Sequence, residues 1–186
     1  RKIEIQDKQS SFSKNKVRNN LIKNRLGELI FENVSFSYRK DEPIINDLSF
    51  KIKAGEHIAL VGPTGSGKTT LIRLLCRLYE PQRGDIYIDG INIRNIPIES
   101  LRRQLGVVLQ DTFLFSGNVS DNLRLDSLVD DKKLKEICSE LGLDNLLSKL
   151  PDGLETYIRE RGANLSSGER QLLSVARVAI RDPKVL

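Results

Sequence analysis

Four residues of the chain have the types and the spacing to bind a phosphate chain. Gly62, Gly67, Lys68 and Thr69 satisfy the pattern G-x-x-x-x-G-K-[ST]. A loop that wraps phosphate with backbone N–H groups must bend tightly and carry no obstructing side chains, and glycines allow both. Lys68 adds a mobile positive charge, and the Thr69 hydroxyl is suited to a magnesium ion. The pattern therefore predicts a site for a nucleoside triphosphate such as ATP, together with Mg²⁺.

The segments on either side of this loop are the elements that a phosphate site needs. His57–Val61 is an apolar run with the length of a buried strand, and Thr70–Tyr79 has apolar residues at helical spacing. A helix that begins at the loop directs its N-terminal N–H groups and its dipole at the anion. The predicted cofactor-binding residues of this segment are Gly62, Pro63, Thr64, Gly65, Ser66, Gly67, Lys68, Thr69 and Thr70.

A second motif, Leu165-Ser-Ser-Gly-Glu-Arg-Gln171, resembles the signature sequence Leu-Ser-Gly-Gly-Gln of the ATP-binding cassette (ABC) family. Tyr38 lies upstream of the phosphate loop, like the adenine-stacking aromatic residue of that family. Gln110 ends an apolar run, like the glutamine of the family's Q-loop. Glu160–Gly162 precedes the signature, like the loop through which exporters of the family touch their membrane domain. The resemblance spans about residues 28–186 and implies the nucleotide-binding domain of an ABC transporter, of the exporter type.

This resemblance, with the order of the elements, predicts an α/β fold of the P-loop NTPase class and the ABC type. We expect an N-terminal antiparallel β subdomain and a helical subdomain at about residues 115–165, with the C-terminal part of the core missing from the chain. Gly106–Leu109 is expected to be a buried strand. Residues 1–27 are expected to be a basic linker from an upstream transmembrane domain, and residues 28–186 a partial ABC ATPase domain.

The resemblance also implies roles for individual residues. Two such domains, in a homodimer or a heterodimer, would hold two ATP molecules head to tail between them. Ser166 and the N–H group of Gly168 would then contact the γ-phosphate of the ATP that the partner domain binds. Lys68 and Gln110 would be catalytic, and Thr69 and Gln110 would bind Mg²⁺. Closure of the dimer on ATP would move the attached membrane segments, and hydrolysis would reopen them.

The signature segment has a structural interpretation as well. Ser166 and Glu169 form the pattern of a capping box at the start of an apolar helical face, and this is compatible with phosphate contact. The segment departs from the family at two positions. Ser167 replaces a glycine, and Glu169 replaces a glutamine and adds negative charge near a polyanion. We expect both changes to weaken the site that this domain completes in its partner, as in an exporter with two unequal sites.

The positive charge of the chain is concentrated in one arm. The net charge is +5, but residues 1–26 hold eight basic and two acidic side chains, while the rest carry 22 basic and 23 acidic ones. Because this arm has no repeated pattern of aromatic residues among the basic ones, it does not predict nucleic-acid binding. It fits a linker beside anionic lipid, on the cytoplasmic face of a membrane. Cys76 and Cys138 lie far apart in apolar stretches and are expected to be reduced, buried thiols.

Four functions are open on the sequence. The first is the ATPase domain of an ABC exporter, and the second is a soluble ATPase subunit of an ABC importer, which would begin close to its first strand. A DNA-repair or chromosome-organising ATPase would carry a coiled coil between the two motifs, but no heptad pattern fills residues 70–165. The fourth is a non-catalytic nucleotide-binding module. In the ABC family the Mg²⁺-binding Asp and the catalytic Glu would follow Leu186, so we expect this polypeptide alone not to hydrolyse ATP.

Overall fold

The computed structural model describes residues 4–7, 27–109, 112–125 and 127–186. This part of the chain forms two compact units, which divide between Arg102 and Arg103. The phosphate loop belongs to the first unit and the signature segment to the second. The predicted domain boundaries at residues 27/28 and at about residues 115 and 165 stay predictions.

The first unit is built on a four-stranded antiparallel sheet and a separate two-stranded pair. The strands of this unit are β1 (Glu4–Asp7), β2 (Leu29–Ser37), β3 (Pro43–Ile52), β4 (Ile58–Val61), β5 (Arg83–Ile88) and β6 (Ile91–Asn92). The sheet has the strand order β3-β2-β5-β6, and the pair joins β1 to β4.

Strand β2 contains an irregularity, which the spacing of its apolar residues predicts. Leu29 and Phe31 are buried, the next two residues are exposed, and Val34 and Phe36 are buried again. At the break Asn33 has a φ of 48°, and the pairing with β3 shifts its register. A bulge at this point keeps both apolar pairs on the core face, because an uninterrupted alternation would turn the second pair to solvent.

Strand β4 leads into the phosphate loop and pairs with β1. The pairing is antiparallel and runs from Asp7 opposite Ile58 to Glu4 opposite Val61. The strand predicted before the loop is therefore present, although it begins one residue later than expected. The strand at Glu4–Asp7 was not anticipated, and the assignment of residues 1–27 as a linker stays a prediction.

Helix α1 (Lys68–Leu75) follows the loop and buries one face. Thr70, Leu71, Leu74 and Leu75 lie on that face. The helix was predicted to continue to Tyr79, but it ends earlier because Arg77 takes a left-handed φ of 48°.

A tight turn joins β5 to β6, as the Asp-Gly pair predicts. Asp89 has a φ of 51° and Gly90 a φ of 76°, the conformation of a hairpin turn with two left-handed residues. A 3₁₀ helix (Ile93–Asn95) follows, and then α2 (Ile98–Gln104).

The second unit is mainly helical. Its helices are α3 (Val119–Arg124), α4 (Asp131–Glu140), α5 (Asp144–Leu147) and α6 (Ser167–Ile180), with 3₁₀ helices at Gly153–Glu155 and Glu160–Gly162. One antiparallel pair joins β7 (Gly117–Asn118) to β8 (Tyr157–Ile158). The buried core of this unit comprises Leu114, Val119, Leu123, Leu134, Cys138, Leu143, Leu146, Ile158, Leu165, Leu173, Ala176 and Ile180.

The segment Gly106–Leu109 differs from its prediction as a buried strand. It has no regular secondary structure, and Leu109 exposes 65% of its surface. Within the described residues its backbone pairing is limited to an isolated parallel bridge between Leu105 and Val185 and to the Gly106 N–H, which donates to the Val185 carbonyl at 2.7 Å. Apolar composition predicted a strand here, but a strand needs neighbours along its whole length.

The two cysteines are free thiols, as expected. Cys138 lies in the core of the second unit, whereas Cys76 is only partly buried, so the prediction of two buried thiols is wrong for Cys76. Burial raises the pKa of both thiols. Among the described residues no helix is both long enough and apolar enough to cross a membrane.

Candidate nucleotide-binding site

The phosphate loop lies between β4 and α1, at the strand-to-helix junction that the sequence predicts. Gly65 and Gly67 have φ angles of 78° and 99°, which L side chains rarely adopt. The Ser66 N–H donates to the Pro63 carbonyl at 3.1 Å and closes a turn within the loop. The loop therefore has the tight curvature that a phosphate cradle requires.

Gly67 is needed for space as well as for conformation. A Cβ atom on this residue would lie 3.1 Å from Cγ2 of Ile44 and 3.4 Å from Cγ1 of Ile45. The loop thus packs directly against the start of β3. This contact connects the loop to the antiparallel sheet of the first unit.

The ammonium group of Lys68 lies against the loop. Its Nζ donates to the carbonyl oxygens of Gly62 and Pro63, at 2.7 and 2.9 Å, and to the Ser66 hydroxyl at 3.3 Å. These bonds match the three donors of an ammonium group. A phosphate oxygen that replaces one of these neutral acceptors would form a stronger bond, because donor and acceptor would then both be charged.

The N-terminus of α1 has no anion of its own. Gly67 is the N-cap residue, no side chain caps the helix, and its first turn contains no acidic residue. In contrast, the Asp130 carboxylate caps α4 by accepting from the Lys133 N–H at 2.7 Å. The first N–H groups of a helix have no acceptor within the helix, and together with the dipole they favour an anion. The start of α1 is therefore electrostatically suited to phosphate.

The three hydroxyl groups near this helix start have different environments. Ser66 and Thr70 are buried, and Thr69 is exposed in the first turn of α1. Mg²⁺ in nucleotide sites takes few protein ligands and several phosphate and water oxygens. The loop attracts phosphates, and Mg²⁺ binds with them. The exposed Thr69 hydroxyl beside the loop is therefore suited to supply one ligand of such an ion. Gln110, the other predicted magnesium ligand and a predicted catalytic residue, lies outside the described residues.

Tyr38 lies beside α1, and its ring and its hydroxyl are both held. Its ring makes edge contacts with Phe36 and Tyr79, with centroids 4.9 and 5.1 Å apart. Its hydroxyl lies 3.3 Å from the Thr70 hydroxyl and accepts from Arg73 at 2.9 Å. Burial raises the pKa of Tyr38, but its hydrogen bonds with Thr70 and Arg73 and the charge of Arg73 lower it, and the net shift is downward.

The structure therefore brings one predicted base-binding residue to the helix that begins at the phosphate loop. Tyr38 keeps 40% of its surface exposed, so part of the ring is open to a ligand. Arg73 is a further residue of this site that the sequence did not predict. Its spacing from Thr70 places both residues on one side of α1, but no local signal pairs either of them with Tyr38, which lies 35 positions before Arg73.

In the second unit, the signature segment forms the start of α6. The Ser166 hydroxyl accepts from the Glu169 N–H at 3.3 Å, and the Glu169 carboxylate accepts from the Ser166 N–H at 2.7 Å. The predicted capping box is therefore present. Hydrogen bonding by Ser166 lowers the pKa of Glu169. A Cβ on Gly168 would meet no atom within 4 Å, so the backbone there is open to approach.

Arg170 fixes the loop that precedes α6. It donates to the carbonyl oxygens of Leu165 and Gly162 at 2.6 and 3.4 Å. Arg161 has a left-handed φ of 54°, within the loop that resembles a membrane-domain contact of exporters. The predicted roles of Ser166 and Gly168 toward a partner's ATP stay predictions.

Comparison with known proteins gives a consistent result. A sequence model of the family described as ABC transporter matches residues 45–186. The mitochondrial iron–sulfur clusters transporter ATM1 of Debaryomyces hansenii is 45% identical over 156 residues, which are 83% of this chain and 22% of that protein. A probable multidrug resistance ABC transporter ATP-binding/permease protein of Bacillus subtilis is 44% identical over 162 residues, or 87% of this chain and 24% of that protein.

A solved structure gives the same result for the fold. It is described as a bacterial Atm1-family ABC exporter with ATP bound, and it matches with a TM-score of 0.77 and 36% sequence identity. The match covers 86% of this chain and 28% of that one. The chain thus spans between 22% and 28% of the length of these three proteins.

Proposed function

Because this chain belongs to the ABC transporter family, we propose that it is the ATP-binding domain of an exporter that couples ATP binding and hydrolysis to transport. The family and the α/β fold of ABC type, both predicted from the sequence, are confirmed. The observation that carries the proposal for the site is the start of α1, where a curved glycine loop and Lys68 meet a helix N-terminus with no anion of its own.

The chain's own groups would hold the triphosphate from several sides. The N–H groups at the start of α1 donate to phosphate oxygens, and the helix dipole favours their charge. Lys68 exchanges a loop carbonyl for a phosphate oxygen and neutralises part of its charge. The curvature at Gly65 and Gly67 keeps side chains out of the space that the phosphates need.

The remaining predicted residues complete this site. Thr69 and Gln110 would hold Mg²⁺, which supplies charge neutralisation between the phosphates. Gln110 and Lys68 are the catalytic residues that we propose for hydrolysis. Tyr38 would stack on the adenine through the exposed part of its ring.

A second ABC ATPase domain is the partner that this site requires. Ser166 and the Gly168 N–H, at the start of α6, would contact the γ-phosphate of the ATP that the partner binds. Support comes from the open backbone at Gly168. Both residues also lie at the N-terminus of a 14-residue helix, where N–H groups favour an anion. No nucleic-acid partner is proposed.

Coupling to a membrane domain is the further part of the proposal. A relative at 44% identity is described as an ATP-binding/permease protein, so both functions occur in one chain there. We propose the same arrangement here, with residues 1–27 as the link and the ATPase domain on the cytoplasmic face. Relatives described as an iron–sulfur clusters transporter and as a probable multidrug resistance transporter match almost equally well, so the proposal does not extend to the cargo.

Binding of ATP by the full-length protein tests the site directly. Lys68→Ala should lower the affinity for Mg-ATP by at least about tenfold, because it removes a charge-assisted contact to phosphate. Lys53→Ala is the matched control, since Lys53 is an exposed lysine in the turn after β3. Unchanged affinity in Lys68→Ala, measured by calorimetry, would refute the proposed function.

A further inference from the structure

Arg73 is a basic residue of α1 that none of the predicted roles uses. It lies in the second turn of the helix, and its Nη1 donates to the Tyr38 hydroxyl at 2.9 Å. Among the described residues no carboxylate forms an ion pair with it. Its contact with Tyr38 is therefore its main fixed interaction within this part of the chain.

The hydrogen bond to the hydroxyl matters more than a contact with the aromatic face. The guanidinium carbon of Arg73 lies 5.9 Å from the centroid of the Tyr38 ring, at the outer limit for a cation–π interaction. The 2.9 Å hydrogen bond, in contrast, has nearly ideal length and involves a charged donor. Arg73 thus binds Tyr38 mainly through the hydroxyl group and makes at most a weak contact with the face of the ring.

The same hydroxyl also contacts the buried Thr70, so that two residues of α1 hold it. Thr70 and Arg73 are three residues apart and lie on one side of the helix. The hydroxyl accepts from Arg73, and its own proton is available for the Thr70 oxygen 3.3 Å away. Edge contacts with Phe36 and Tyr79 restrain the ring at the same time.

We propose that Arg73 is a positioning residue for the nucleotide base, because it fixes the orientation of Tyr38 relative to the helix that begins at the phosphate loop. Arg73 and Lys68 belong to the same helix, so the bond of Arg73 connects the Tyr38 ring to the helix that begins at the phosphate loop. This inference rests on the proposed function. It adds that base recognition depends on a side chain that touches neither base nor phosphate.

According to this proposal Arg73 affects the binding of the base but not the binding of the phosphates, and two ligands distinguish these effects. Inorganic tripolyphosphate has the phosphates of ATP without the base or the sugar. In the full-length protein, Arg73→Ala should lower the affinity for Mg-ATP by about threefold to tenfold, the usual net effect of one intramolecular hydrogen bond. Its affinity for Mg-tripolyphosphate should stay at the wild-type value.

A double-mutant cycle tests whether Arg73 acts through the Tyr38 hydroxyl. Tyr38→Phe keeps the ring and removes the hydroxyl, so it should match Arg73→Ala in size. The double variant should lose no more affinity than either single one. Arg39→Ala is the control, because it removes a positive charge next to Tyr38 from a side chain that is 81% exposed and pairs with Glu42.

The outcomes separate this inference from the function on which it rests. An Arg73→Ala variant with wild-type affinity for Mg-ATP would overturn the inference, as would additive losses in the cycle. Equal losses for both ligands would overturn it too, since Arg73 would then support the phosphate loop. If Lys68→Ala retains both ligands, the proposed function fails and the inference with it.

Discussion

The carboxylate of Glu169 accepts a hydrogen bond from the backbone N–H of Ser166, with 2.7 Å between Oε2 and N. Helix α6 therefore carries an anion of its own at its N-terminus, whereas α1 has none. Both helix starts belong to motifs predicted to contact phosphate. Only the start of α1 presents its amides and dipole without a competing carboxylate, which is why the primary ATP site is assigned to it.

The capping role of Glu169 should give α6 a pH-dependent stability. The pKa of Glu169 is lowered in the folded chain because Ser166 binds its charged form. Its contribution is therefore complete above its unfolded pKa of about 4.3 and is lost as the pH falls through the lower, folded value. Hydrogen-exchange protection of the first turn of α6, corrected for intrinsic rates, should fall across that range. Glu169→Gln should remove this step, and a variant that keeps it would contradict the assignment.

The serine that replaces a glycine in the signature should be detectable in the assembled dimer. Ser167 is exposed as the first residue of α6, beside the open backbone of Gly168. Ser167→Gly removes a side chain from the approach of a partner's phosphate, and we expect an increase in ATPase rate of about threefold, the size of one anion contact at a helix start. Ser148→Gly, at the exposed end of α5, is the control. An unchanged rate for Ser167→Gly would exclude steric interference at this position.

Most of the fold was predictable where the signal is local. The Asp89-Gly90 hairpin, the Asp130 cap and the Ser166 capping box each depend on residues close in sequence, and all three are present. The bulge in β2 was predictable as well, because a break in alternation is visible in the spacing of buried residues. These features follow from backbone conformation and burial within one element.

Other features depend on contacts between distant parts of the chain. The pairing of Glu4–Asp7 with β4 joins segments about fifty residues apart, and no local signal selects that partner. Gly106–Leu109 is apolar enough for a strand, yet its backbone lacks continuous pairing. The bond of Arg73 to Tyr38 spans 35 positions, so the sequence showed both residues without showing that they meet.

Gly67 should tolerate alanine far less well than Gly55 does. Both glycines have positive φ angles, 99° and 77°, so each substitution introduces backbone strain of about 1–2 kcal/mol. Only at Gly67 would the new methyl also press on Ile44, at 3.1 Å from its Cγ2 atom. Gly67→Ala should therefore lower Mg-ATP affinity by at least about tenfold, whereas Gly55→Ala should leave it unchanged. Equal affinities in the two variants would mean that the loop does not depend on this packing.

Asn122 should be essential for the stability of the second unit. This residue is 2% exposed, and its amide pairs with both the N–H and the carbonyl of Phe115 at 2.8 Å. Its side-chain oxygen also accepts from Arg177. Burial lowers the pKa of Arg177, and acceptor oxygens such as this one stabilise its charged guanidinium.

Asn122→Ala would remove the side-chain partner of both backbone groups of Phe115 and one of the three acceptors of Arg177, at about 2–4 kcal/mol in the free energy of unfolding. Asn118→Ala, which removes a hydrogen bond to the exposed Glu155, should change it by less than about 1 kcal/mol. Proteolysis rates in the full-length protein would compare the two, since cleavage in the second unit follows its opening. Equal rates would show that the Asn122 network contributes little, and the segment at Phe115 would then owe its position to packing of its neighbour Leu114 in the core.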